Sequence, residues 1–182
     1  FAPLRKTVEG WRFGGIVTAQ TGPPIYVASG RATFNQFGTN IGAQFAGASF
    51  SDFLNSAGIF KTASGVYFYD PKMLAITTNS SGAATAASLN SGLLTAPAPG
   101  TFGNFPRNSI NAPGFTQVDF SLIKQTRISE KVSVDFKATF YNAFNHANFS
   151  FATQNFDSTS FGRITGTRGS PRNINFNLAI NF

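Results

Sequence analysis

The side chains that could carry chemistry are few, and their spacing does not assemble a catalytic centre. His146 is the single histidine, and the chain has no cysteine. Its neighbours Asn145 and Asn148 are poor metal ligands. The residue types therefore favour a loop histidine packed among Phe144 and Phe149. No nucleophile-elbow motif supports a Ser-His-Asp triad, and the glycine-rich stretches lack the lysine of a phosphate-binding loop. We expect no catalytic residue, no metal, no cofactor and no enzyme.

Two carboxylates are the remaining candidates for acid–base chemistry. Asp119 and Asp135 fall on the same side of two predicted strands, and Lys137 shares that side. A lysine beside two carboxylates favours neutralisation within a wall of the fold over acid–base catalysis.

The clearest element is the C-terminal segment, residues 172–182, which reads RNINFNLAINF. Every second residue is apolar, and the residues between them are almost all asparagine. Successive side chains of a strand point to opposite faces, so this pattern predicts one apolar face and one amide face. Alternating segments of about ten residues are typical of outer-membrane barrels.

Two further strands are predicted at 115–126 and 131–141, each with apolar residues at even positions. Directly opposed residues share a face, so the hairpin needs an odd-length loop. A three-residue loop at Arg127–Ser129 satisfies this condition. That register places Asp119 opposite Lys137 and predicts an ion pair between them. The alternative three-residue loop, residues 128–130, makes Asp119 and Lys137 diagonal neighbours.

A first hairpin is predicted near the N-terminus. Residues 11–20 form a candidate strand, and Gly14-Gly15 marks a bulge or a close backbone approach. Thr21–Pro24 is predicted as a tight turn, and Ile25–Ala28 as the start of the returning strand.

Long segments separate these elements. No clean alternation persists over 29–114, and 142–171 is predicted as a second loop. Short turns at 21–24 and 127–130 alternate with these long loops, which predicts periplasmic turns, extracellular loops and a periplasmic C-terminus.

One stretch of the first long loop has no charged residue. Residues 73–106 are small and polar and contain proline and glycine. They lack the apolar density of a transmembrane helix, so we expect a flexible loop.

Composition agrees with an all-β chain. There are 22 phenylalanines, and charged residues make up only 12%. The net charge of +7 is spread along the chain without a basic cluster, so we expect no nucleic-acid partner. The predicted fold is an antiparallel transmembrane β-barrel fragment of about five strands.

Four phrases in order resemble one family. They are GWRFGGIVTAQTGPPI, PRNSINAPGFTQVDFSLIK, FYNAFNHANF and FGRITGTRGSPRNINF. Together they resemble the C-terminal end of the barrel in TonB-dependent outer-membrane receptors of the Oar-like branch. The resemblance implies a plugged barrel of about 22 strands, a TonB partner and an unknown transported solute. The chain starts at Phe1, and we expect residues 1–182 to be the C-terminal region of a longer protein whose plug lies outside it.

The last strand also resembles the signal read by the barrel-assembly machinery, with Asn175, Ile180 and Phe182 at matching positions. Asn177 stands where glycine is usual, so the match is partial. An edge strand with unpaired backbone groups gives such a signal a physical basis.

The strand patterns assign two faces of the predicted barrel. The lumen-facing residues are Asp119, Ser121, Asp135, Lys137, Thr139, Tyr141, Asn173, Asn175 and Asn177. The lipid-facing residues, in contact with outer-membrane lipid, are Val118, Phe120, Leu122, Val132, Val134, Phe136, Phe140, Ile174, Phe176, Leu178 and Ile180.

The resulting hypothesis is an outer-membrane receptor barrel that moves a solute, with adhesion or surface secretion as a variant role. The rival is a soluble or surface-bound β-sandwich that binds or adheres. A sandwich requires a second apolar layer over the Val132-to-Phe140 stripe, and no predicted strand supplies one.

Overall fold

A computed structural model of the chain describes residues 7–34, 41–46, 49–78, 80, 84–89 and 94–182. Its architecture is all-β with antiparallel strands, as predicted. The described residues fall into two compact units. The sheet unit comprises the described residues up to Gln20 together with Phe115–Asn148 and Arg168–Phe182, and the loop unit comprises those of Thr21–Gly114 and Phe149–Thr167.

The strands are numbered in chain order, and helix α1 (Phe50–Asn55) lies between β5 and β6. They are β1 (Trp11–Gln20), β2 (Pro24–Ile25), β3 (Ala28–Ser29), β4 (Ile41–Gly42), β5 (Gln44–Phe45), β6 (Ala57–Thr62), β7 (Gly65–Tyr69), β8 (Leu74–Thr78), β9 (Ala84–Leu89), β10 (Leu94–Thr95), β11 (Ile110–Asn111), β12 (Phe115–Arg127), β13 (Ser133–Tyr141), β14 (Asn148–Phe149), β15 (Arg163–Ile164), β16 (Thr167–Arg168) and β17 (Asn173–Asn181).

The sheet unit is built on a four-stranded antiparallel sheet in the order β1-β12-β13-β17, which we call the main sheet. Its strands carry the strongest alternation in the sequence. Val17 lies opposite Val118, Phe120 opposite Phe140, and Phe140 opposite Ile174. Because opposed residues share a face, each apolar stripe joins the next across the sheet.

The two ends of the main sheet differ. Gln20 lies opposite Phe115, and Tyr141 opposite Asn173. We call this the loop end, because residues 21–114 and 142–172 leave and re-enter the sheet there. At the opposite turn end, Arg127 lies opposite Ser133.

The predicted first hairpin is wrong. β1 pairs along its whole length with β12, and the predicted returning strand is replaced by β2, which pairs with β11. Residues 21–24 therefore follow β1 at the loop end and are not a turn at the turn end. Gly22 explains the local path, because a Cβ there would lie 1.7 Å from the Ala112 carbonyl oxygen. Only glycine permits so close a backbone approach.

The hairpin between β12 and β13 keeps the predicted parity of its register, but its loop is longer than predicted. The turn comprises Ile128–Val132. The N–H groups of Ile128 and Ser129 donate to the Val132 carbonyl at 2.9 and 3.1 Å, and Val132 N donates to the Ser129 hydroxyl at 3.2 Å. These bonds stabilise the wider turn.

The longer turn also corrects the predicted ion pair. Lys137 lies opposite Ile123 rather than Asp119. The offset between residues 119 and 123 is about 13 Å along the strand. Asp119 and Lys137 therefore do not pair.

The described parts of 29–114, predicted as a long loop without clean alternation, contain regular secondary structure. They contain β3 to β11 and α1. Within the loop unit the ladders are β3–β4, β5–β10, β2–β11, β6–β7–β15 and β8–β9. β8 and β9 fall within 73–106, the stretch expected to be a flexible loop.

Aromatic side chains form the core of the loop unit. Phe53, Tyr67, Tyr69 and Phe161 are fully buried. The Tyr69 ring stacks on Phe161 at 5.1 Å between centroids and lies 5.1 Å from Phe53. The aromatic island at residues 66–69, which lacks any periodicity, is thus part of a hydrophobic core.

Helix α1 begins with a capping box. Ser49 Oγ accepts from Asp52 N at 3.3 Å, and Ser49 N donates to the Asp52 carboxylate at 2.9 Å. Hydrogen bonds from Ser49 lower the pKa of Asp52. None of the helices in the described ranges has the length and hydropathy needed to cross a bilayer.

Candidate functional site

The main sheet has one polar face, formed by the even residues of β1 and the odd residues of β12, β13 and β17. Ser121 lies opposite Thr139, which lies opposite Asn175. Tyr141 lies opposite Asn173. All residues predicted to face the lumen lie on this polar face, namely Asp119, Ser121, Asp135, Lys137, Thr139, Tyr141, Asn173, Asn175 and Asn177.

The opposite face is apolar and largely uncovered. Phe13 is 74% exposed and Leu178 66% exposed, which is far above the exposure of core residues. Phe120 and Phe140 stack at 4.4 Å between ring centroids, and Phe136 and Phe176 at 6.0 Å. This face carries Val118, Phe120, Leu122, Val134, Phe136, Phe140, Ile174, Phe176, Leu178 and Ile180. Val132, predicted to share it, lies in the turn before β13.

At the loop end, the side chain of Asn142 joins two segments of the chain. Its Oδ1 accepts from His146 N at 2.9 Å, and its Nδ2 donates to the carbonyls of His146 and Ser170 at 3.1 and 3.0 Å. Asn142 is buried and has a φ of 47°, a left-handed conformation that asparagine tolerates better than most residues. It therefore holds the end of β13 to the segment before β17.

Two more asparagines complete this arrangement, which we call the asparagine clasp (Asn142, Asn145 and Asn148). Asn148 Oδ1 accepts from Thr116 N at 2.7 Å, and its Nδ2 donates to Thr116 O at 2.9 Å. Asn145 Oδ1 accepts from Arg172 N at 3.2 Å. The clasp ties the loop-end termini of three strands together, and it explains the spacing of asparagines in FYNAFNHANF.

Asp119 is held rigidly on the polar face. Gln117 Nε2 donates to both of its carboxylate oxygens at 3.0 Å, and Asn142 N donates to Oδ1 at 2.8 Å. The carboxylate therefore positions the β13 terminus and presents a fixed acceptor at the loop end.

Two clefts open on the polar face, one at the middle of the main sheet and one at the loop end, and Tyr141 lines both. One, of about 330 Å³, includes Gly14, Ser121 and Thr139. The other, of about 380 Å³, includes Gln117 and the residues at the start of β17. The Tyr141 side chain is 44% exposed.

Comparison with known families decides what this sheet belongs to. The family model described as an outer membrane beta barrel domain matches residues 2–175. The chain belongs to the outer membrane β-barrel domain family. It is accordingly a protein of the bacterial outer membrane. Comparisons with curated proteins and with solved structures found no match.

One charged residue, Lys124, lies on the otherwise apolar face of the main sheet. It lies opposite Trp11 and Phe136. Its ammonium group donates to the carbonyls of Thr7 and Glu9 and lies 5.1 Å from the centroid of the Trp11 ring. Lysine and tryptophan with this geometry are typical of a membrane–water interface.

Sequence reasoning missed this contact between Lys124 and Trp11. The signal was a single charged residue that continues the Val118, Phe120 and Leu122 stripe in the same phase. Lys124 interrupts the stripe, and Val134 and Ile180 continue the apolar face one row nearer the turn end.

His146 contributes to the clasp through its backbone, and its side chain is exposed. Among the residues that the structure describes, no group of three or more histidine, aspartate or glutamate side chains is placed to hold a metal ion.

The predicted assembly-signal residues lie in or just after β17. Asn175 and Ile180 are on opposite faces of β17, and Phe182 follows the strand and is fully exposed. β17 is the last strand in the order of the main sheet.

Proposed function

We propose that this chain is the C-terminal part of the barrel of a TonB-dependent receptor, which moves a scarce solute across the outer membrane and is not an enzyme. One observation carries the proposal: the main sheet has a polar face and an exposed apolar face, and both long segments leave it at the same end. A transport barrel needs a lipid-facing wall, a polar lumen and large loops on one side.

The polar face would line the lumen. It carries mainly hydroxyl and amide side chains toward the loop end, and Arg12 and Lys137 lie nearer the turn end. The apolar face would contact outer-membrane lipid.

The loop unit would be extracellular and would meet the solute first. It has an aromatic core of its own, so it would present a shaped surface rather than a flexible coil. That same observation favours adhesion as a second candidate role, because a rigid surface can also bind a neighbouring cell or matrix.

The proposed partners follow from the resemblance to receptor barrels. The barrel-assembly machinery would engage β17, and TonB would engage a part of the protein outside this chain. Nucleic acid is not among the proposed partners, since the basic residues form no cluster in the sequence.

A soluble β-sandwich fits the main sheet poorly. A sandwich buries one face of each sheet against the other. Here Phe13, Phe176 and Leu178 on the apolar face are each more than 60% exposed.

The test compares solute uptake by three strains: wild type, one lacking the gene for this protein, and one lacking the energy-coupling TonB complex. Mass spectrometry of the growth medium identifies solutes that each strain removes. We expect at least one solute to remain in the medium of both mutant strains. Unchanged depletion of every solute in the strain that lacks this protein would refute a transport role.

A further inference from the structure

We infer that the polar face carries a binding trough for a neutral, polyhydroxylated solute of the sugar class. This inference rests on the proposed transport function and names the chemical class of its solute. The trough consists of the two clefts that share Tyr141.

The trough crosses the main sheet at the level of two rows of opposed residues. One row is Gly14, Ser121, Thr139 and Asn175, and the next contains Asp119, Tyr141 and Asn173. All four strands therefore contribute to it. A site built across hydrogen-bonded strands is held more rigidly than one on a loop.

The lining chemistry fits hydroxyl groups. Ser121 and Thr139 each offer a donor and an acceptor, as do the amides of Asn173 and Asn175. A sugar hydroxyl also donates and accepts, so it can pair with such groups in either sense. The Tyr141 ring supplies a partly exposed aromatic surface for the apolar C–H face of a sugar.

The charges on the polar face argue against an anionic solute. The single charged side chain in the lining is the carboxylate of Asp119, which already accepts hydrogen bonds from Gln117 and from Asn142 N. The cations Arg12 and Lys137 lie in the next row toward the turn end, both opposite Ile123. A bound anion would be repelled by the Asp119 carboxylate, and no lysine or arginine among the lining residues would offset that repulsion.

Gly14 gives the trough its depth. A Cβ at this position would lie 3.7 Å from Ser121 Oγ, which is ordinary contact and leaves room for a side chain. A larger side chain would therefore project into the cleft without forcing the backbone to move.

The test is isothermal titration calorimetry of the full-length protein, purified in detergent, with tetrasaccharides of two kinds. Maltotetraose and cellotetraose are the neutral probes, and a galacturonate tetramer is the anionic probe. The variants are Tyr141→Ala and Gly14→Leu. The controls are Tyr141→Phe, which keeps the ring, and Phe144→Ala, which removes an exposed aromatic side chain outside the trough.

We expect a neutral tetrasaccharide to bind, and both Tyr141→Ala and Gly14→Leu to weaken its binding by about tenfold or more. Both controls should stay within about threefold, a difference of less than 1 kcal/mol. If Tyr141→Ala fails to fold, Gly14→Leu alone decides the outcome. Binding of the galacturonate tetramer alone, no binding of any probe, or binding that Gly14→Leu leaves unchanged would each overturn the inference.

The outcome is separable from that of the proposed function. A sugar that binds in the trough but accumulates equally in cells without the TonB complex would contradict transport and leave the trough's ligand class standing. Energy-dependent uptake of some other solute, with no sugar bound, would contradict the trough alone.

Discussion

A lysine placed at the centre of the apolar face should strongly destabilise the folded protein in a bilayer. Phe140 is the position to change. Its ring stacks on Phe120 at 4.4 Å, and it lies opposite Phe120 and Ile174. Thr139, the adjacent residue, points to the polar face and provides a matched control for the same substitution.

We expect the membrane–water interface to lie at the level of Lys124 and Trp11, and the depth of Phe140 follows from that position. Phe120 and Lys124 are about 13 Å apart along β12. With strands tilted by about 40°, this is about 10 Å along the membrane normal, close to half of an apolar band about 25 Å tall. Phe140 therefore lies near the midplane.

The expected cost of Phe140→Lys is about 2–4 kcal/mol, the value for a lysine at the bilayer midplane. At 1.4 kcal/mol per factor of ten, the folding equilibrium constant should fall about 30- to 700-fold. Phe136→Lys should cost only about 0–1 kcal/mol, because Phe136 lies opposite Lys124 at the interface. Thr139→Lys should also be mild, since its side chain would extend into the polar lumen.

The assay is denaturant unfolding of the full-length protein in lipid vesicles, with each variant measured under identical conditions. A destabilisation by Thr139→Lys as large as that by Phe140→Lys would refute the assignment of faces. Equal effects of Phe136→Lys and Phe140→Lys would refute the boundary at Lys124 while leaving the faces intact.

Three further predictions concern residues outside the apolar face. Asn148→Asp should destabilise the protein by about 1–3 kcal/mol in denaturant unfolding, because it replaces the donor to Thr116 O by an acceptor, while the exposed Asn177→Asp should change little. Gly22→Ala should cost about 1–3 kcal/mol or more by the same assay, since its Cβ would overlap the Ala112 carbonyl, whereas Gly166→Ala, whose Cβ would lie 3.6 Å from Ser150 Oγ, should be nearly neutral. Burial raises the pKa of Tyr69, so the contribution of Tyr69 to the unfolding free energy should be constant below about pH 10 and fall as the pH rises further, because the unfolded state loses its proton first. Tyr69→Phe should reduce that fall, and a pH profile identical to wild type would contradict the argument.

The strands of the main sheet were predictable because each has one apolar and one polar face over most of its length. β1 spans Trp11–Gln20 as predicted, and β17 follows the alternation of residues 172–182. Period-2 alternation is a local property, so a single strand suffices to show it.

The pairing of those strands was harder to predict from the sequence. The register of β12 and β13 depends on hydrogen bonds among Ile128, Ser129 and Val132, and parity alone allows several loop lengths. The partner strand of β1 lies about a hundred residues away in sequence, and no local sequence pattern identifies it.

The loop unit escaped prediction for a different reason. Most of its strands are only two residues long, which is too short for any period to appear. The spacing of Ser49 and Asp52 nevertheless matches a capping box and could have predicted the start of α1. The asparagines at 142, 145 and 148 likewise indicate turns in the sequence. The residues that they bind at the strand ends are set by tertiary contacts and could not be predicted from the sequence.

The central claim is that β13 lies in the wall of a membrane barrel, with its odd residues toward water and its even residues toward lipid. The chain has no native cysteine, so single cysteines at successive positions 134–141 are the only thiols in this part of the protein. They can be spin-labelled in the full-length protein reconstituted into vesicles, after any cysteine outside these 182 residues is replaced by serine. Collisions with oxygen, which concentrates in lipid, and with a water-soluble nickel complex are then measured at each position. We expect the oxygen signal to peak at Phe136, Ala138 and Phe140 and the nickel signal to peak at the positions between them. Profiles without a two-residue period, or with the opposite phase, would contradict the account.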